Sequence, residues 1–306
     1  MGTKKIITKE KLIEDIRKAN ITKGDILNLK ISLKSIGWVE GGAGTVISAF
    51  LEVIGPEGTI VTDSFVNVKS WKNLKREIYL TDDKTSSYAG AVANDMLKHP
   101  QVRRSKHPIQ KFAIIGKYAN DFAENHTADS YAYDVLRRMA ELGAKNIRLG
   151  DPNKVVGVGT THVAIGLLKY QQKRLKYGVH YLDSKGHKNL FLVNWAGGCV
   201  AGFNKLLLEY KKIGAFIYEG KVGQADIIVS DMKKTLDWEV QEGKKNPQFF
   251  FCDNPACIDC QLTWKFSTGN LLKVMWENIK LKKFDHALYA LMIYFKGKYQ
   301  PEQRLN

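Results

Sequence analysis

Apolar residues recur along this chain in two spacings, one typical of strands and one typical of helices. Residues 25–31 and 59–66 are short apolar runs, which predict buried strands. Between them, apolar residues repeat at helical spacing from Val46 to Ile54, and Gly55 follows as a stop signal. The pattern predicts a strand–loop–helix–strand unit of an α/β fold.

The same spacings continue along the chain and extend this prediction. Thr8 is expected to cap an N-terminal amphipathic helix, and a short helix is expected to begin at Met232. A hairpin is predicted from residues 215–218, a turn at Gly220 and residues 227–229. Further helices are predicted at 87–98, 129–142, 163–173, 203–213 and 284–295, and strands at 112–116, 146–149, 154–158 and 190–195. We therefore expect an α/β protein with a mixed sheet flanked by helices.

The length of 306 residues fits one large domain or two closely packed ones. A breaker at residues 243–247 separates residues 1–245 from a tail, 246–306, that holds three of the four cysteines. No apolar run approaches the roughly 18–20 residues of a membrane helix, and the charged N-terminus does not resemble a signal peptide. We therefore expect a cytoplasmic protein without a membrane span and without a disulfide framework.

The excess of basic residues is the sharpest feature of the composition. Lys and Arg number 47 against 31 Asp and Glu, which gives a formal net charge of +16 at pH 7. Such a charge favours an anionic partner, either nucleic acid, a membrane surface or a phosphorylated small molecule. The alternative is a solvated face that only keeps the protein in solution.

A glycine-rich loop precedes the first long helix. Four glycines stand within residues 37–44. They allow the backbone to approach a ligand closely, at a point where helix amide groups can bind phosphate. The loop matches neither a Walker motif nor a dinucleotide fingerprint. A packing role for these glycines is the alternative.

Five sequence blocks follow one another in an order that is specific to a known family. They are SLKSIGWVEGGAGTVISAFLEVIGPEGTIV (32–61), TSSYAGAV (85–92), RRSKHP (103–108), GVGTTHVA (157–164) and YKKIGAFIYEGKVGQADIIV (210–229). Over residues 8–245 the chain resembles the aminoglycoside 3-N-acetyltransferase family. In the second block Ser86 and Ala89 replace the Pro and Met of the family.

The resemblance implies a two-part α/β architecture with a cleft for acyl-CoA, and direct transfer of the acyl group, which we expect to be acetyl, to an amine. The loop after the first strand would hold the amides of the pantetheine arm, and nearby cations would bind the CoA phosphates. Lys30 departs from the family, which usually carries His there. The implied CoA-binding residues are Lys30, Ser32, Leu33, Lys34, Ser35, Gly37, Trp38, Val39, Thr85, Ser86, Ser87, Arg104 and Ser105.

Two histidines are candidates for the proton transfer that amine acylation requires. His162 occupies the block of the family's catalytic histidine, and we expect it to act as base or proton relay; His107 is the second candidate. The family carries Glu three residues after its histidine, where this chain has Ile165. The carboxylate partner of His162 is therefore open, with Asp129, Asp134 and Asp151 as alternatives. An amine that arrives already neutral would need no strong base.

The tail contains the motif CDNPACIDC, which places Cys252, Cys257 and Cys260 close together. Three thiolates at this spacing would hold zinc if Cys199 or a histidine supplied the fourth ligand. Plant-type iron–sulfur proteins share the spacing, but their downstream fourth cysteine is missing here. Reduced thiols in a packed turn are the alternative.

The net charge bears on which amine is acylated. A cleft for polycationic aminoglycosides should lean acidic, so a charge of +16 favours a nucleotide-linked amino sugar of surface-glycan biosynthesis, such as lipopolysaccharide. Lys169, Tyr170, Lys173 and Arg174 would bind its diphosphate and base. An aminoglycoside acceptor is the first alternative, and a non-catalytic binder of nucleic acid or another anionic ligand is the second. No basic–aromatic interleaving supports nucleic-acid binding, and a homo-oligomer is left open.

Overall fold

A computed structural model describes residues 6–76, 80–151, 155, 157, 159–183 and 185–300. Its strands are β1 Ile6–Ile7, β2 Ile26–Ile31, β3 Trp38–Val39, β4 Thr59–Asp63, β5 Lys69–Ser70, β6 Leu80–Thr81, β7 Arg103–Arg104, β8 Phe112–Gly116, β9 Lys145–Leu149, β10 Lys173–Arg174, β11 Tyr177–Leu182, β12 Lys188–Leu192, β13 Phe216–Val222, β14 Ala225–Asp231 and β15 Lys298–Tyr299. Its α-helices are α1 Lys9–Lys18, α2 Leu33–Ile36, α3 Gly42–Ile54, α4 Trp71–Arg76, α5 Ala91–Met96, α6 Ala119–Glu124, α7 Asp134–Glu141, α8 Thr160–Leu167, α9 Val200–Lys212, α10 Met232–Lys245, α11 Leu271–Lys280 and α12 Phe284–Lys296. A 3-10 turn spans Pro247–Phe250, and a π turn spans Asp259–Thr263.

The central sheet has seven strands in the order β13-β14-β9-β2-β4-β8-β7. Strand β2 runs parallel to both β4 and β9, whereas the outer pairs are antiparallel. Side chains alternate between the two faces of a strand. Leu27 and Leu29 therefore pack with α1 and α3 on one face, and Ile26 packs with α7, α8, α9 and α10 on the other. Lys30 shares the face of Ile26, so it points towards the side of the sheet that carries α8.

Most of the predicted helices and strands are present, and their ends show which capping residues and turns determine where each element starts and stops. Strand 112–116 is confirmed, and Thr8 caps α1 by accepting a hydrogen bond from the Lys11 N–H at 3.3 Å. The helix predicted at 163–173 instead spans Thr160–Leu167, because Gly159 caps its start with φ of 86° and Lys169 has φ of 54° just beyond its end. The predicted strand 154–158 falls largely outside the described residues.

The hairpin of β13 and β14 is confirmed, but its turn is not at Gly220. The turn lies at Gly223, which has φ of 58°. A side chain there would meet the carbonyl oxygen of Ile36 at 2.8 Å from its Cβ. Only glycine satisfies both conditions without strain, which is why the chain reverses at this position.

The C-terminal region begins where α10 ends, at Lys245. Phe250 and Trp264 belong to the same buried cluster as α7 and α8, and β15 pairs with β10. A smaller satellite core joins the π turn to α11 and α12. The described part of this region is thus packed onto residues 6–245, and the boundary at 245/246 stays a prediction.

Helices α11 and α12 form a hairpin with many exposed apolar side chains. Leu272, Trp276, Leu288 and Phe295 are each more than half exposed. Surfaces of this kind commonly contact other proteins, and the homo-oligomer stays a prediction. Within the described residues, no helix combines the length and the apolar content needed to cross a bilayer.

Candidate active site

The carboxyl ends of β2 and β4 place one cation and one anion side by side. Lys30 near the end of β2 and Asp63 at the end of β4 form an ion pair, with Nζ and Oδ2 2.9 Å apart. Gln110 donates a hydrogen bond from its Nε2 to the other oxygen of Asp63 at 3.2 Å. Parallel neighbours end at the same edge of the sheet, which is the usual position of sites in open α/β folds.

His162 lies in the first turn of α8 and is held by aromatic rings. Its imidazole stacks on the ring of Tyr133 with centroids 4.2 Å apart, and the ring of Phe203 meets its edge at 5.0 Å. The hydroxyl of Tyr131 donates to the backbone carbonyl of His162 at 2.5 Å. Immediately before this turn, tight packing by Leu136 and the stem of Lys30 leaves Gly159 little room for a side chain.

His162, Lys30 and Asp63 meet at a cavity of about 250 Å³. The other lining residues are Phe65, Gln110, Tyr133, Leu136, Gly157, Gly159, Gly198, Val200 and Phe203. The cavity therefore combines an imidazole, a carboxylate and an ammonium group within mostly aromatic and glycine-rich walls. Such a combination of apolar walls and a few convergent polar groups is typical of a small-molecule site.

The imidazole of His162 is neutral at physiological pH. Burial, assisted by the Lys30 cation, lowers the pKa of His162 to about 3, although the carboxylate of Asp63 opposes this effect. Its Nδ1 is buried and has no hydrogen-bond partner among the described residues. Only the neutral ring can accept a proton, and its low pKa means that the protonated ring must be stabilised when it forms; the carboxylate of Asp63, which raises the pKa of His162, is placed to do so.

The carboxylate that shares the cavity with His162 is Asp63, which the sequence did not single out. Asp134 is instead paired with Arg137, at 2.7 Å, and Asp129 is exposed. Asp151 contacts the loop after β2, because its backbone N–H donates to Ser35 Oγ at 3.3 Å. The only sequence signal for Asp63 was its position within the predicted strand 59–66, near the functional edge of a parallel sheet.

His107 lies behind the cavity and does not line it. Its Nδ1 accepts hydrogen bonds from the backbone N–H groups of Ile109, at 3.2 Å, and Gln110, at 2.9 Å. Its fully buried ring contacts those of His126 and Trp195, and burial holds the pKa of His107 well below its usual value. These contacts fix the backbone of Gln110, whose side chain reaches Asp63. A catalytic role for His107 stays a prediction.

The loop predicted to hold the pantetheine arm lies at the carboxyl edge of the sheet. Ser35 donates a hydrogen bond to Ser32 Oγ at 2.8 Å, and both serines abut the turn after β9 at Gly150. Trp38, beside these serines, is 59% exposed. Leu33, Ser35 and Gly37 are half-buried, Val39 is buried and Lys34 is exposed.

The second predicted CoA-binding group, at residues 85–87 and 104–105, is held by hydrogen bonds to other parts of the protein. Arg104 donates to the carbonyls of Asp83, Thr85 and Ser64, and its burial lowers its pKa to about 10. Ser105 Oγ is buried and accepts from the Phe112 N–H at 2.8 Å. Of the hydroxyl residues, Ser86 is exposed, Thr85 is half-buried and Ser87 is buried. Their contacts with CoA stay predictions.

The four residues predicted to bind a nucleotide are engaged in separate contacts. Tyr170 donates from its hydroxyl to the carbonyl of Gly243 at 2.6 Å, and Lys173 lies over the rings of Tyr294 and Tyr299. Arg174 donates to Gln172 and to the hydroxyl of Tyr177. Lys169 is exposed beyond the end of α8. Their role in substrate binding stays a prediction.

Cys199, the fourth cysteine of the chain, lies beside the three cysteines of the tail. The Sγ atoms of Cys199, Cys252, Cys257 and Cys260 all lie within 4.8 Å of one another. The sequence left open whether Cys199 or a histidine completes the set. Among the described residues, the structure places Cys199, and not a histidine, in this cluster.

A buried carboxyl group supports α8 from behind and was not expected from the sequence. Glu239 on α10 accepts a hydrogen bond from Thr161 Oγ1 at 2.5 Å and another from the Tyr210 hydroxyl. Its side chain is completely buried, and this burial raises the pKa of Glu239 to about 7. Thr161 immediately precedes His162, so Glu239 helps to position the first turn of α8.

Comparison with known proteins gives consistent matches. The family model for aminoglycoside 3-N-acetyltransferase matches residues 29–242. An aminoglycoside N(3)-acetyltransferase III from Salmonella sp is 31% identical over 254 residues, which cover 75% of this chain and 80% of the relative.

Solved structures show the same fold. An AAC-IIIb binary structure with CoASH superposes with a TM-score of 0.65 at 17% identity, covering 79% of this chain and 97% of that one. An AAC-VIa structure bound to sisomicin superposes with a TM-score of 0.69 at 20% identity, covering 79% and 98%. The predicted α/β fold is thereby confirmed.

Proposed function

Because this chain belongs to the aminoglycoside 3-N-acetyltransferase family, we propose that it transfers an acetyl group from acetyl-CoA to an amine of an aminoglycoside. Its membership confirms the predicted enzyme class, a CoA-dependent N-acyltransferase, and acetyl-CoA as donor. The relatives are named for aminoglycosides and give no support to a nucleotide-linked amino sugar. They favour the aminoglycoside alternative. A cytoplasmic location, where acyl-CoA is available, is part of this proposal.

The observation that supports this reaction is the neutral His162 at a cavity that also contains a carboxylate. The acceptor's amine nitrogen attacks the thioester carbonyl, a C–N bond forms, and the C–S bond then breaks. The proton lost by the nitrogen passes to the imidazole and from there to the departing sulfur of CoA. His162 thus holds one proton between two steps, which a neutral ring can do and a charged one cannot.

The carboxylate of Asp63 is an argument for an acceptor that carries positive charge. Its carboxylate is half-buried beside His162, and low solvent exposure strengthens its attraction for an ammonium group. Lys30 neutralises it in the free enzyme, so the described lining of the cavity carries one positive and one negative group. The charge of +16 belongs to the whole chain and does not describe this cavity. A net charge summed over the whole chain therefore favours an anionic acceptor even though the described lining of the cavity is balanced.

The donor is proposed to lie along the loop of residues 32–39. The serines there, with the exposed indole of Trp38, offer hydrogen bonds and an apolar face to the pantetheine amides. The loop follows β2 directly, so the thioester would reach the same edge of the sheet as Lys30 and His162. Donor and acceptor would then meet at the carboxyl ends of β2 and β4.

The test is CoA release from acetyl-CoA with three sets of acceptors. Aminoglycosides should give rapid, amine-dependent release, whereas nucleotide-linked amino sugars and a control without amine should not. Product mass should rise by one acetyl group per turnover. Release with nucleotide-linked amino sugars alone would contradict the proposed acceptor, and no release with any amine would contradict the reaction.

Asp63→Asn should weaken binding of the acceptor. The substitution keeps the shape but removes the charge that attracts the amine, and a loss of about 1.4 kcal/mol raises KM about tenfold. KM for acetyl-CoA should stay near the wild-type value. Steady-state kinetics with each substrate varied in turn checks both values.

The matched control is Asp129→Asn, because Asp129 is exposed and lies outside the described cavity lining. It should leave both KM values unchanged. An equal rise in the two KM values for Asp63→Asn would indicate a general disturbance of the site and would count against acceptor binding by this carboxylate.

A further inference from the structure

All four cysteines of the chain meet where the start of α9 touches the segment after α10. Cys199 is the N-cap residue of α9, and Cys252 follows the 3-10 turn Pro247–Phe250. Cys257 and Cys260 flank the start of the π turn. Two stretches that are far apart in sequence thus contribute thiols to one point.

The separations of the sulfur atoms suit a single tetrahedral ion. The Sγ atoms of Cys199 and Cys257 are 3.6 Å apart, and no pair in the set exceeds 4.8 Å. A zinc ion with Zn–S bonds of about 2.3 Å places its four sulfurs about 3.8 Å apart. So compact a set has room for one ion and not for a cluster of several irons.

A backbone N–H group points at one of the sulfur atoms, as expected for thiolates. Cys252 donates its N–H to Cys260 Sγ at 3.3 Å. Cys199 caps the start of α9, and the positive end of a helix stabilises a thiolate. Both features would support the negative charge of a metal-bound set.

We propose that Cys199, Cys252, Cys257 and Cys260 bind one zinc ion that has a structural role. Four protein thiolates fill all four tetrahedral positions, so no position remains for water or substrate. Binding releases the protons of the thiols as the Zn–S bonds form. The ion joins the C-terminal region to the domain that carries the active site.

The site also bears on the cavity that holds His162. Cys199 stands between Gly198 and Val200, and both neighbours line that cavity. The first turn of α9 presses closely on the C-terminal segment, because a Cβ on Gly202 would lie 2.3 Å from the carbonyl oxygen of Phe250. Zinc would hold this contact in place and thereby fix one wall of the cavity.

The test uses the full-length chain, purified without chelators and analysed for metals by mass spectrometry. We expect one zinc per chain and no stoichiometric iron. Cobalt substitution should give the intense visible absorption of a tetrahedral thiolate site. Cys199, Cys252 and Cys257 line a cavity of about 420 Å³, and their thiols should react with a thiol reagent only after a strong chelator is added.

Two variants distinguish Cys199 from His286 as the fourth zinc ligand. Cys199→Ala should lose the zinc, whereas His286→Ala, which changes the histidine that lines the neighbouring cavity, should keep it. Cys199→His, which restores a ligand, should recover zinc if Cys199→Ala fails to fold. Retention of zinc by Cys199→Ala together with its loss from His286→Ala would overturn the four-cysteine site.

The wild-type protein alone also decides the proposal. Metal-free protein whose cavity-lining thiols react freely without a chelator would overturn it, as would a disulfide between any two of the cysteines or stoichiometric iron in place of zinc. Because metal content is measured without substrate, these outcomes are independent of whether the protein acetylates aminoglycosides.

Discussion

His162→Ala is expected to lower kcat by about 10²- to 10⁴-fold, the usual contribution of a positioned general base. The substitution removes the neutral imidazole from the cavity but leaves Tyr133 and Phe203 to support the surrounding wall. KM for acetyl-CoA should change little, since acetyl-CoA is proposed to bind along the loop of residues 32–39, which does not contain His162. Steady-state kinetics at saturating aminoglycoside measures the loss, and added imidazole should restore part of the rate.

The matched control is His187→Ala, since its side chain is 73% exposed and lies in the turn between β11 and β12. It should retain the wild-type kcat. Unchanged kcat in His162→Ala, with acetyl transfer still dependent on the amine, would show that the acceptor arrives neutral and that His162 is not the base.

The pH profile gives a second readout of the same group. Because the pKa of His162 is lowered to about 3, its neutral form is already complete above pH 6. Any fall in kcat/KM between pH 8 and pH 6 should therefore follow the pKa of the acceptor's amine and shift when the acceptor is changed. An acid limb that stays at one pH for every acceptor would contradict this assignment.

Glu239→Gln is expected to stabilise the protein at high pH. Burial raises the pKa of Glu239 from 4.5 to about 7, so the folded state binds a proton more tightly than the unfolded state. The free energy of unfolding of the wild type therefore falls by about 3 kcal/mol as the pH rises from 4.5 to about 7, and it levels off above pH 7. Glutamine stays neutral and should escape this loss.

Urea unfolding at pH 5 and pH 8 measures the difference. Relative to wild type, Glu239→Gln should be more stable at pH 8 than at pH 5, while Glu242→Gln on the same helix, paired with Lys245, should follow the wild-type curve. Parallel pH curves for Glu239→Gln and wild type would show that Glu239 is not the buried group that titrates.

Local patterns in the sequence were sufficient for the central units of the fold. Apolar alternation and helical spacing located β2, α3, β4 and β8, because each of these signals lies within one element. The turn of the last hairpin was misplaced, since the choice of Gly223 over Gly220 depends on contact with Ile36, which is distant in sequence. The five ordered blocks were enough to identify the family, because their order survives even where single residues change.

The sequence by itself determined the reaction class, the acetyl-CoA donor and His162 as the candidate base. Only the tertiary structure decided which groups surround that histidine. Asp63 comes from β4 and Tyr133 from the turn before α7, while Glu239 on α10 holds Thr161, the residue before His162; none of the three is near His162 in sequence. Net charge favoured a different acceptor from the one that we propose, because it sums over the whole surface, whereas recognition depends on the few charges that line the cavity.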